Sequence, residues 1–225
     1  MKTTLSKTRN VVAGVHYTTS HTAKMAGLAS LSTDINLNPL CQARRRNGAA
    51  VCSVCFSASL WDDKRGQYRK GNAAFKRNTE ILCNHILTGD EIPVIDPARF
   101  PLFRFEAFAD LQSVTQVINY FNIAKNNPGV KFALWTKNPG FVARALKFTT
   151  KPENLQIVLS SLRLNRPTAT NYEFIDKIFT VYDDATIDAE QININCGARS
   201  CMGCQLCYNR NQGGARLVHV RERVK

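Results

Sequence analysis

Eight of the 225 residues are cysteines, and seven of them fall into two groups whose spacing suits metal chemistry. Cys41, Cys52 and Cys55 read Cys-x10-Cys-x2-Cys, and Cys196, Cys201, Cys204 and Cys207 read Cys-x4-Cys-x2-Cys-x2-Cys. Two residues between cysteines let a tight turn aim both sulfurs at one centre, which suits zinc and iron–sulfur clusters alike. Structural zinc usually draws on two well-separated pairs, whereas four thiols within residues 196–207 are closer to the runs that hold clusters. The leading expectation is therefore one or two 4Fe-4S clusters, with zinc as the alternative. Disulfides are a poor explanation, because an intracellular chain of this size keeps its thiols reduced and needs no staples.

The two groups differ in what they leave open. Acting alone, the three N-terminal thiols leave one iron without a protein ligand, and an open metal position can bind substrate or S-adenosylmethionine (SAM). The four C-terminal thiols can close a second cluster for electron delivery or rigidity. A competing arrangement draws ligands from both groups into one cluster that clasps the chain ends together. Cys83 belongs with neither group: Phe75, Ile81, Leu82 and Ile86 recur around it at helical intervals, so it reads as a core thiol. The four histidines lack ligand spacing and read as surface or hydrogen-bonding residues.

Charge is distributed in blocks. Residues 1–80 carry 13 basic and 4 acidic side chains, residues 81–195 carry 11 and 12, and residues 196–225 carry 6 and 1, within a net charge of +13. The cationic ends hold the two thiol groups, and nearby Lys and Arg lower the cost of anionic thiolates. The same ends could meet nucleic acid or another polyanion, through Arg44–Arg46 and Arg69–Lys70, with Trp61 and Tyr68 to stack on bases. That makes a nucleic-acid-binding module with a structural metal the reading from another class, and a small redox carrier with a redox partner a third.

The elements that must position these residues are clearest from residue 100 onward. Strands are expected at Phe103–Ala109, Val130–Thr136, Leu155–Ser160 and Lys177–Tyr182, with helices between the first three: one carries Leu111, Val114, Ile118 and Phe121 on a single face, and Pro139 opens the next. This alternation gives an α/β protein, either a partial (β/α) barrel or an open, mainly parallel sheet, with cysteine-rich N- and C-terminal segments. One domain is expected over residues 1–225, with the cysteine-bearing segments 41–55 and 196–207 flanking a βα core at about 100–184. The N-terminal third should add one or two strands and a helix from roughly Lys70 to Leu87. Residues 213–225 read as a strand or a basic tail. Active groups in such folds gather at the C-terminal strand ends, which here offer Asp110, Thr136 with Lys137, Ser160 with Ser161, and Asp183 with Asp184. Arg104, Glu106, Phe108 and Asp110 share strand parity, which is either a functional sign or the wet face of an edge strand. Glu106, Asp110 and Lys137 are the candidate catalytic residues.

The segments KMAGLASLST, NPLCQ, VCSVCFSA, KRNTEIL, FRFEAFADLQS, FALWTKNP and CMGCQLCY, in this order from about Lys24 to Tyr208, resemble the bacteriophage gene product eighty-eight family. The resemblance implies an iron–sulfur, radical-SAM-like α/β protein encoded by phages and mobile elements. It implies that Cys41, Cys52, Cys55 and the Cys201, Cys204, Cys207 set ligate clusters, and that Asp110 and Thr136–Lys137 line the cavity. Two departures stand against SAM use: the Cys41–Cys52 interval breaks the Cys-x3-Cys-x2-Cys pattern, and Ala109 stands before Asp110 where a glycine is expected. No apolar run approaches the roughly 18 residues of a membrane helix, and the run Val11–Val15 is too short for a secretory signal. The expected location is the host cytoplasm, without membrane partners.

Overall fold

The computed structural model describes residues 11–12, 14–20, 23–48, 50–61, 69–197 and 200–224, the backbone alone at residues 11, 12, 23, 56, 60, 61 and 69–72. Trp61, Tyr68, Arg69 and Lys70, weighed above for nucleic-acid contact, thus fall outside the described side chains. Among the described residues, eight strands form a sheet in sequence order: β1 (Val11–Val12), β2 (Val15–Thr19), β3 (Ala29–Leu31), β4 (Leu102–Phe105), β5 (Lys131–Thr136), β6 (Leu155–Ser160), β7 (Lys177–Tyr182) and β8 (Val218–Arg223). The hairpin β1–β2 and the β2–β3 pair are antiparallel, and every pairing from β3 to β8 is parallel. The sheet stays open, with no bond closing β8 onto β1. Of the two architectures expected, the open, mainly parallel sheet is the one adopted, and the chain's last strand replaces the alternative of a basic tail.

Right-handed crossovers between parallel strands that advance in one direction put their helices on one face. After the short helices α1 (Pro39–Arg45) and α2 (Phe56–Trp61), helices α3 (Arg69–Asn84), α4 (Val114–Asn126) and α5 (Pro139–Ala145) pack there. The main core lies between them and the sheet: Phe103, Phe105, Phe132, Leu134, Leu155 and Ile157 meet Leu82, Val117, Tyr120, Phe121, Val142 and Ala145. The Phe105 ring stacks on Tyr120 at 4.3 Å and on Phe132 at 5.1 Å. Each such side chain contributes roughly 2–3 kcal/mol through burial. Helix α4 starts later than the apolar spacing suggested. Ser113 caps it by accepting from the Gln116 N–H at 3.0 Å, so Leu111 precedes the helix while still reaching the core.

The opposite face carries Leu28, Leu102, Ala133, Val158, Phe179 and Val220, and among the described residues no layer of long helices covers it. The C-terminal segment does, through Cys196, Cys201, Met202, Leu206, Cys207 and Tyr208. Helix α6 (Asp184–Glu190) and the single turn α7 (Cys201–Cys204) belong to the β7–β8 connection that supplies this cover.

The first expected strand ends four residues early. Glu106 takes φ +57°, a left-handed conformation that stops the extended run, so the parity argument that joined Arg104 to Phe108 and Asp110 fails beyond Phe105. The edge-strand explanation fails too, because β4 lies between β3 and β5. Arg104 points to the C-terminal cover with its guanidinium 4.3 Å over the Trp135 ring.

Candidate functional site

The parallel strands end together at one rim of the sheet, and Asp110 organises it. Its Oδ1 accepts from the Thr136 hydroxyl at 2.6 Å and the Leu111 N–H at 2.7 Å, and its Oδ2 accepts from the Lys137 N–H at 3.0 Å and Arg44 Nη1 at 3.3 Å. Arg44 also donates to the Lys137 carbonyl at 3.2 Å and Asn138 Oδ1 at 2.5 Å. The Asp110 charge is thus neutralised by Arg44, and the carboxylate ties β4 to β5 rather than facing open space. The Lys137 ammonium is turned elsewhere, donating to Ser160 Oγ at 3.0 Å.

Helix α1 (Pro39–Arg45) brings Cys41 to this rim. Asn38 caps it, accepting from the Leu40 and Cys41 N–H groups at 3.0 and 3.1 Å, while its own amide donates to the Asp110 carbonyl at 2.7 Å. Pro39 suits the first helical position because its missing N–H would be unpaired there. Cys52 lies in the short 3-10 turn Val51–Val54 and Cys55 follows it. Burial, with Asp110 and Glu106 nearby, raises the pKa of Cys41; burial also raises that of Cys52, against which Lys137 and Arg44 act. The three N-terminal thiols therefore share one electrostatic neighbourhood with Asp110, Arg44 and Lys137.

Glu106 stands behind the rim, not on it. It is 2% exposed, and its carboxylate accepts from Thr33 Oγ1 at 3.0 Å, Gln116 Nε2 at 2.6 Å and the Tyr120 hydroxyl. Burial pushes its pKa up to about 7. Cys83 is half-buried beside Gln116, 3.8 Å from its Oε1, and burial pushes the thiol up to about 11. It joins neither thiol group. The other strand-end candidates take structural work: Ser161 shares a hydroxyl hydrogen bond with Thr180, Asp183 caps α6, and Asp184 meets Arg223 at the surface. His85 pairs with Glu91 at 2.9 Å, a hydrogen-bonding role as its sequence context suggested.

The four C-terminal thiols form a second site on the sheet face. Cys196, Cys201, Cys204 and Cys207 all line one cavity of about 270 Å³, with Lys24, Leu206, Tyr208 and Val220 among the other walls. Lys24 Nζ stands 3.9 Å from Cys196 Sγ and is paired with Glu222 on β8. Burial raises the pKa of Cys196 and Cys201 and pushes Cys207 up to about 12, while Lys24 opposes the rise at the first two and Arg104 at Cys201 and Cys207. Arg104 Nε and Trp135 Nε1, on the sheet face beneath this segment, are buried N–H donors without a partner among the described residues. Among the described residues, no three His, Cys, Asp or Glu side chains converge on the geometry of a bound metal ion. The four cysteines share the lining of one cavity without forming a single-ion site.

Half of the cations serving the thiols lie outside the basic ends. Arg104 and Lys137 come from the nearly neutral middle of the chain, and Arg44 alone of the arginine run is engaged by Asp110. Lys24 and Trp135 escaped sequence reasoning because nothing local marks them, and Arg104 was marked only by its strand parity, which gave no hint of the cysteines it faces; Asn38 could have been found from the Asn-Pro pair that opens a helix.

A model of the family described as gene product 88 matches residues 16–223, almost the whole chain. The chain belongs to the gene product 88 family. That agrees with the resemblance carried by the ordered motifs and makes it a member of a family of phage gene products. No curated protein and no solved structure matches the chain. Among the described residues, no helix is long and apolar enough to cross a membrane.

Proposed function

We propose that this gene product 88 protein binds iron–sulfur clusters at two separate centres and carries out redox or radical-SAM-like chemistry at the strand-end rim. The observation that carries the reading is the 270 Å³ cavity lined by all four C-terminal cysteines. In a cluster each thiolate binds a different iron, so four cysteines sharing the walls of one cavity suit a cluster better than one zinc ion, which draws its ligands to a single point. Cys196, Cys201, Cys204 and Cys207 would hold the closed centre. Lys24 and Arg104 favour the thiolate forms there, and the unpartnered N–H groups of Arg104 and Trp135 are suited to donate toward cluster sulfur.

Cys41, Cys52 and Cys55 would hold the second centre, which has three protein thiolates and one open position. Such a position supplies Lewis-acid or electron-transfer chemistry to a bound substrate or to SAM. The chain's own residues prepare it: Asn38 fixes the Cys41 helix to the rim, Arg44 and Asp110 hold β4 against β5, and Lys137 offers a positive charge next to Cys52. The two groups have different charged neighbours, which favours two centres over one clasp.

Anaerobic purification tests this. The expected product is brown and contains iron and acid-labile sulfide, with part of the colour lost in Cys41→Ser, part in Cys204→Ser, and none in Cys83→Ser. A colourless protein with stoichiometric zinc would refute the cofactor assignment, and complete bleaching by Cys41→Ser alone would favour the clasp. Electron paramagnetic resonance of the reduced protein with and without SAM tests the open iron, because a SAM-dependent spectral change requires one.

A further inference from the structure

The β6–β7 connection, residues 161–176, lacks the crossover helix found after β4 and β5. Long connections without secondary structure are uncommon in compact folds and often form binding loops. Here the loop is anchored at Ser161, whose hydroxyl accepts from the Thr168 N–H at 3.0 Å. It walls a cleft of about 590 Å³ at the C-terminal ends of β5 and β6, within the size range of small-molecule sites. Lys137, Ser160, Thr168, Thr170, Asn171 and Tyr172 supply its polar lining.

Two features specify the occupant. The Lys137 ammonium has no carboxylate partner among the described residues; its hydrogen bond goes to the neutral Ser160 hydroxyl, because Asp110 is already balanced by Arg44. An ammonium at a cleft wall with only a neutral partner has charge left for an anion. Tyr172 stacks on Phe174 at 4.8 Å yet remains 41% exposed, leaving ring surface for a further planar group. Hydroxyls and an amide complete the polar lining.

We propose that this cleft binds a mononucleotide-sized anion, with its planar ring on Tyr172 and its phosphate or carboxylate at Lys137. Among the described residues no cysteine lines the cleft; Lys137 is shared with the rim beside Cys52, so the proposal is tested by ligand binding alone, which does not depend on a bound cluster. Calorimetric titration of the full chain with adenosine monophosphate, adenosine and inorganic phosphate should rank the first tightest. Lys137→Met should weaken adenosine monophosphate at least tenfold and leave adenosine unchanged, whereas Lys137→Arg should retain binding. Tyr172→Ala should weaken adenosine and its monophosphate several-fold and leave phosphate unchanged. An adenosine derivative with a carboxyl group in place of the phosphate distinguishes the two anions by which binds better. Wild-type affinity for the monophosphate should fall as salt rises. Unchanged affinity in Lys137→Met, binding indifferent to salt, or no binding of any of the adenosine compounds would overturn the proposal, and the salt series decides the matter if the variants do not fold.

Discussion

Asp110 and Glu106 lie four residues apart on one strand end yet hold very different environments. Asp110 is matched by Arg44 and backbone donors at the rim; Glu106 is sealed among Thr33, Gln116 and Tyr120, where burial raises its pKa to about 7 from an ordinary value of 4.5. A raised carboxyl pKa means that the folded chain holds this proton more tightly than the unfolded one. The stabilisation is therefore complete below about pH 4.5 and is lost as pH rises toward about 7, a total on the order of 3 kcal/mol. Glu106→Gln has no such proton to lose, so its urea midpoint should fall less than the wild type's between about pH 5 and about pH 7. Equal slopes for the two proteins would show that Glu106 titrates normally.

At the scale of an element, α1 is a short helix that brings one thiol to the rim, and its seven residues cannot sustain it alone. Asn38 does two jobs there: its oxygen caps the helix and its amide holds the Asp110 carbonyl. Asn38→Ala should cost about 1–2 kcal/mol in denaturant unfolding, from the lost cap and a buried carbonyl left unpaired. The looser helix should also speed reaction of Cys41 with a thiol reagent, measured by mass spectrometry of the labelled peptide. Asn38→Asp keeps the cap but not the donor, so it separates the two contributions.

The whole molecule has one face built by hydrophobic packing and one face closed by a cysteine-bearing segment. Helices α3–α5 seal the first with large apolar side chains, whereas the second relies on a segment with three half-buried cysteines and the exposed Cys204 around a cavity. If the proposed cluster is bound there, its removal by chelation should raise amide hydrogen exchange in residues 200–217 while β4, β5 and α4 keep their protection. A uniform loss of protection across the sheet would mean that the core itself depends on the C-terminal centre.

The sequence by itself determined the periodic features: the four central strands, the helices after the first two, the α/β class and the two thiol groups. These depend on local spacing, which the chain carries along its length. It misjudged the end of β4 because a left-handed residue forced by tertiary contacts at Glu106 leaves no local signature, glycine being absent there. Only the tertiary structure decided that Arg104 and Lys137, remote in sequence from the cysteines, stand beside them, that Asp110 is neutralised by Arg44, and that the thiol groups lie in different places on the sheet. Parallel pairing sets those neighbours, since it joins residues separated by whole crossovers, and no window of sequence spans such a distance.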